Sequence, residues 1–231
     1  MRAAQGAALG TSAAVQRAES SVTAGERVAW TVGVGAAWAV AYFGVASGAE
    51  LGRARDLTTV LDRHVPFVAA SVWIYLAGMV CPVLPAFVVR SRALFRRTGL
   101  AYGVTIVLSA STFAVWPVSS AGLRVDLASS GADGLSGMAL RTLYAVDPPM
   151  NLCPSLHVAL GALAAFAIVK AVPQLSLPAI AMVALVAASV CTVKQHFVLD
   201  VAGGLLLAAA AAPLIVAQAP ARTRMRRARR M

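Results

Sequence analysis

The sequence predicts an all-α polytopic membrane protein, a bundle of six transmembrane helices. The chain of 231 residues is 59% hydrophobic and only 13% charged, a balance that soluble domains of this length do not keep. Nearly uncharged runs of membrane length recur six times along it. The basic residues gather between these runs: of the 20 Lys and Arg, six fall between Arg222 and Arg230 and four between Arg90 and Arg97. Arginine runs can mark nucleic-acid binding. Beside apolar runs they suit anionic lipid at a membrane face, so the expected partner is the bilayer and not nucleic acid.

Residues 1–27 are rich in Ala, Gly, Ser and Gln without apolar periodicity, the composition of a disordered tail. The run Val28–Ala49 is long enough to cross a bilayer core, and that length, with the long tail ahead of it, argues against a cleaved signal peptide. A charged connector, Glu50–His64, leads to a second span over about Pro66–Val89, in which Pro82 and Pro85 are expected to kink the far end. The arginine cluster from Arg90 to Arg97 follows, then a third span over about Leu100–Val118 that ends at the interfacial aromatic Trp116. Residues 119–153 form the longest connector and carry Gly, Ser and Asp as turn formers. The fourth, fifth and sixth spans cover about Ser155–Val172, Leu175–Val193 and His196–Gln218. Residues 28–218 thus read as one six-span domain, and 219–231 as a basic cytoplasmic tail. No internal repeat and no second domain is expected.

Six spans put both termini on one side. With the termini inside, the inner segments hold Arg2, Arg17, Arg27, Arg90, Arg92, Arg96, Arg97, Lys170 and the six tail arginines, and the outer ones Arg53, Arg55, Arg63, Arg124, Arg141 and Lys194. That bias favours cytoplasmic termini in a plasma membrane of the bacterial type. It also carries the 119–153 connector to the outer face, and with it His157 and His196, although neither histidine served to choose the orientation.

Two polar knots interrupt the apolar runs, and they hold two of the three histidines. The first is Asp147-Pro148-Pro149-Met150-Asn151-Leu152-Cys153-Pro154-Ser155-Leu156-His157. A helix starting after Pro154 offers free N–H groups and the positive end of its dipole, which suit an anion. Ser155 adds a hydroxyl donor, and His157 in the same turn can give or take a proton. The alternative is a plain helix start with an interfacial histidine. The second knot is Lys194-Gln195-His196-Phe197-Val198-Leu199-Asp200. His196 and Asp200 stand four apart and share one helical face, so the carboxylate can hold one ring nitrogen and leave the other free to attack. An unpaired Asp200 inside a span would cost roughly 2.5–3.5 kcal/mol on insertion scales, and His196 is its evident local partner. Lys194 lies where a phosphate would sit, though it could equally snorkel to the interface. Arg124 and Arg141 are the arginines of the long connector, each either a phosphate fork or a solvated loop charge, with Arg124 the better placed. His64 lacks a motif and reads as interfacial. Cys81, Cys153 and Cys191 have neither metal spacing nor a disulfide framework, although a Cys153–Cys191 bridge is open if both lie near an oxidising face. There is no carboxylate cluster to hold a divalent ion, and no metal or cofactor is expected.

Pro154-Ser155-Leu156-His157, followed by His196 and Asp200 at the heads of later spans, resembles the type 2 phosphatidic acid phosphatase superfamily, over roughly residues 65–215. Leucine at 156, the Asp147-Pro148-Pro149 and Asn151 lead-in, and Gln195-His196-Phe197 look most like the branch that includes inositol phosphorylceramide synthases. The resemblance implies a six-helix core and a metal-independent enzyme working through a covalent phosphohistidine. His196 would be the nucleophile, Asp200 its orienting carboxylate, and His157 the acid that protonates the leaving oxygen. Ser155 would bind phosphoryl oxygens, with Arg124 and Lys194 as further phosphate ligands. Three positions depart from the family's pattern. Its first motif is broken, with Pro117 where lysine would be and Val125 after Arg124, and Val190 stands where an arginine usually precedes the nucleophile. The implied activity is a lipid phosphate phosphatase acting on a lipid phosphate or pyrophosphate ester. The rivals are a phospho-headgroup transferase and a non-catalytic membrane binding protein.

Overall fold

The computed structural model describes residues 21–48 and 51–216. Most of the expected tail 1–27 and all of the basic tail 219–231 lie outside the described residues. No strand forms among those described. The helices are α1 (Ala24–Gly48), α2 (Val60–His64), α3 (Val72–Val80), α4 (Pro85–Val88), α5 (Arg92–Val115), α6 (Gly134–Val146), α7 (Leu156–Ala171), α8 (Ser176–Thr192) and α9 (Val198–Val216).

Among the described residues four stretches are long and apolar enough to cross a membrane: Ala24–Gly48, Arg92–Val115, Pro173–Thr192 and Val198–Val216. Two more apolar stretches, Ala69–Val83 and Leu156–Ala171, are shorter. Helix α7 has 16 residues, about 24 Å at ~1.5 Å per residue, against a hydrocarbon core of ~30 Å. The second expected span is broken as its prolines foretell: α3 ends at Val80, a 3-10 turn runs through Cys81–Val83, and α4 restarts at Pro85. Pro82 and Pro85 have no N–H to continue the ladder, so the chain re-enters the helix with each proline in a first turn.

Several boundaries differ from the expectation. Helix α1 begins at Ala24, inside the expected tail. Helix α5 begins at Arg92 and takes in three of the clustered arginines. Ser91 caps it, its Oγ accepting from the N–H of Leu94 at 3.4 Å. Glu26 joins the two helix starts, 2.8 Å from Arg92 and 2.6 Å from Arg96. The long connector also holds a helix, α6, which turns Leu140 and Leu143 inward. All three cysteines are free thiols, so the Cys153–Cys191 bridge does not form.

Helix α7 is the hub, packed on α5, α8 and α9. Ala159, Ala164 and Ala167 let neighbours approach its backbone, and its buried residues run all round it. One close approach is at Gly204 of α9, where an added Cβ would lie 2.6 Å from the carbonyl oxygen of Ser155. Glycine there lets the start of α7 rest directly on α9. Helix α1 packs on α5, with the Trp30 ring 4.9 Å from Phe95 and 5.3 Å from Tyr102. Tyr42 is its one buried residue.

Candidate active site

The two knots meet at one end of the bundle. His196 comes from the turn between α8 and α9. That turn is made by Lys194 at φ 58°, with the N–H groups of Gln195 and His196 both donating to the carbonyl of Val190, at 3.1 and 3.0 Å. His196 therefore precedes α9 by two residues instead of opening it. The expected pairing still forms, because Asp200 sits in the first turn and reaches back. Its Oδ2 accepts from the N–H of Phe197 at 2.9 Å and lies 3.3 Å from His196 Nδ1. Both residues are buried.

With Nδ1 held by Asp200, Nε2 of His196 faces Ser155 Oγ at 3.5 Å. Ser155 starts α7, its N–H donating to the carbonyl of Asp200 at 3.0 Å. One turn carries the chain to His157, whose ring centroid lies 5.8 Å from that of His196 at an interplanar angle of 67°. Two imidazoles, a hydroxyl and the N-terminus of α7 thus surround one small space. Cys153 flanks it, and burial together with the Asp200 carboxylate pushes its thiol up to about 11.

Arg124 and Lys194 are both hydrogen-bonded to loop carbonyls. Arg124 donates to Gln195 Oε1 at 2.9 Å and to the carbonyls of Tyr144 and Asp147 at 3.0 and 2.6 Å. Its guanidinium also lies 4.6 Å from the Tyr144 ring centroid. Burial holds it below its ordinary pKa, while Asp147 works the other way. Lys194 Nζ donates to the carbonyls of Asp62 and Val65 at 3.2 and 2.6 Å. The sequence pattern aims both at phosphate, but the loops ending near them have unpaired carbonyls that take their donors first. Arg141 is exposed and reaches the carbonyl of Ala132 at 3.4 Å. His64 is exposed as well, its Nδ1 2.7 Å from the carbonyl of Val60, and takes no part in the site. Val190, where the resembled family carries arginine, is a fully buried apolar side chain.

Two carboxylates were given no role from sequence, although Asp147 heads the first knot. Asp62 ties the short helix α2 to the histidine turn. Its Oδ1 accepts from the N–H of Val198 at 2.7 Å and its Oδ2 from the N–H and hydroxyl of Thr59 at 2.8 and 2.6 Å. Burial raises its carboxyl, but these hydrogen bonds outweigh that and hold it below the ordinary range. Asp147 is the other. Tyr42 donates to its Oδ1 at 2.7 Å, and Tyr75 and Gln195 Nε2 donate to its Oδ2 at 2.8 and 3.0 Å. Asn151, at φ 63°, donates from Nδ2 to the carbonyl of Tyr42 at 2.6 Å. A signal for this cluster exists in the sequence: Tyr42 and Tyr75 are hydroxyls inside apolar runs, and a buried tyrosine hydroxyl usually has a partner.

Four apolar helices of spanning length among the described residues, with two histidines and a buried carboxylate at one end, mark an integral membrane protein with a polar cluster at one end of its bundle. A family model described as the PAP2 superfamily matches residues 50–214, and the chain belongs to that superfamily. Membership suggests phosphatase or phosphotransferase activity on lipid phosphates. No curated protein matches the chain.

Proposed function

We propose that this chain is a membrane-embedded lipid phosphate phosphatase that works through a phosphohistidine on His196 and needs no metal. The observation that carries the proposal is the His196 ring, held at Nδ1 by Asp200, with Nε2 open toward Ser155 and His157 across the gap. In the first step Nε2 attacks phosphorus and the bond to the lipid oxygen breaks. His157 gives that oxygen its proton, while Asp200 stabilises the cation that forms on the ring. Ser155 and the first-turn N–H groups of α7 hold the phosphoryl oxygens. In the second step water attacks, its proton passes to His157, and the P–N bond breaks. An alcohol in place of water would give the transfer reaction of the inositol phosphorylceramide synthase branch, with the same intermediate.

The test is a panel of lipid phosphates with the purified protein. Phosphate release in excess EDTA, inhibition by vanadate and acid-labile phosphate on the protein are expected. Activity lost to EDTA and restored by a divalent ion would refute metal independence. No phosphate release from any ester, with no new lipid on adding inositol or another alcohol, would leave a non-catalytic binder.

The topology proposed with this reaction is one six-span domain in a plasma membrane, with both termini cytoplasmic and the site facing outward. Among the described residues the bias is even: Arg53, Arg55, Arg63, Arg124, Arg141 and Lys194 lie on the histidine side, and Arg27, Arg90, Arg92, Arg96, Arg97 and Lys170 on the other. The orientation therefore rests on Arg2, Arg17 and the tail arginines. In intact cells an impermeant thiol reagent should label Ala128→Cys and spare Ala93→Cys. The reverse pattern would put the site in the cytoplasm.

A further inference from the structure

The proposed reaction leaves one carboxylate at the site without a task. A carboxylate offers about four lone-pair positions to donors. On Asp147 the two tyrosines and Gln195 fill three, and the one left belongs to Oδ1. Tyr75 couples this group to the proposed acid, since its hydroxyl is on Asp147 while its ring centroid lies 4.8 Å from that of His157. Asp147 and His157 also line the same groove, whose other walls are apolar apart from Thr142, among them Trp38, Leu76, Met79 and Leu143. A ligand in that groove has an apolar body and meets these two ionisable side chains.

The charge around Asp147 decides what the open position on Oδ1 accepts. A second anion near a phosphoryl group repels it, so Asp147 is no phosphate ligand. A cationic headgroup is not called for either, because the Arg124 guanidinium already sits on the carbonyl of Asp147 itself. A neutral hydroxyl fits: it donates to the open lone pair and adds no charge. Building on the phosphatase reading, we infer that Asp147 is a specificity-determining residue that binds a free hydroxyl next to the phosphoester carbon of a lipid phosphate. The apolar chain would lie in the groove, the ester oxygen at His157 and the neighbouring hydroxyl on Asp147. The chemical step is unchanged, and the alcohol leaves with the proton from His157.

Two chain-matched esters test this: a 1-acylglycerol 3-phosphate, with its free 2-hydroxyl, and the 2-deoxy analogue, a 1-acyl-1,3-propanediol 3-phosphate. The unmodified protein should prefer the first in kcat/KM by about tenfold or more, the effect of losing one hydrogen bond to a charged acceptor. Asp147→Asn should shrink the ratio toward one. The ratio is internal to each preparation, so partial misfolding of the variant does not move it. Equal rates on both esters with the unmodified protein would overturn the inference before any variant is made. So would a preference that survives Asp147→Asn, or one for a 2-amino analogue over the hydroxyl. If neither ester nor any other lipid phosphate releases phosphate, the phosphatase reading itself fails, a result distinct from equal rates.

Discussion

Replacing His196 by alanine is expected to abolish phosphoenzyme and turnover on every phosphate ester, whereas replacing His157 should fail selectively. Across from Ser155, His196 offers a nitrogen oriented from behind by a buried carboxylate. Removing a nucleophile of this kind costs roughly 10⁴–10⁶-fold, whatever the leaving group. His157 stands across the gap and would act on the leaving oxygen. Its loss should cost about 10²–10⁴-fold with a lipid alcohol, the worth of general acid catalysis, and far less with nitrophenol, which leaves unaided. His157 also serves the incoming water, so His157→Ala should give a burst of nitrophenol and accumulate acid-labile phosphate. A burst from His196→Ala with none from His157→Ala would reverse the two roles.

Asp200→Asn is expected to cost about 10⁴-fold in kcat, the scale seen when a histidine's orienting aspartate in a serine protease becomes asparagine. Here one oxygen meets both the Phe197 N–H and His196 Nδ1. An amide can present its oxygen there, but it carries no charge to stabilise the imidazolium. The same change removes the second cause of Cys153's raised pKa of about 11. Its thiol should therefore titrate lower, which alkylation against pH would reveal. Retained activity in Asp200→Asn would mean that the pair only shapes the α9 start.

The histidine pair and its carboxylate were legible because the signals are local. Asp200 is four residues from His196, and Ser155 and His157 share one turn, so spacing alone brings their roles into reach. The spans were legible because lack of charge over membrane length has few other meanings. The Asp147 cluster was not, since its partners come from positions 42, 75 and 195 and only folding brings them together. The partners of Arg124 and Lys194 were hidden for a related reason: a sequence shows a cation but not the loop carbonyls that meet it. Helix α6 was hidden because glycine and serine dot its 13 residues, and the mean composition of the connector reads as turns.

The shortness of α7 has a consequence for depth. It joins α8 through the turn Pro173–Leu175 at the end away from the histidines. At about 24 Å for its 16 residues it falls roughly 6 Å short of a ~30 Å hydrocarbon core, so with that far end at the membrane boundary its Ser155 end would lie inside the opposite one. In a bilayer that sinks the reacting groups below the water boundary, toward the glycerol level of the leaflet, where a lipid's phosphate can meet them without its chains leaving the hydrocarbon. The thickness of the surrounding bilayer then sets how far water must descend to complete each turnover.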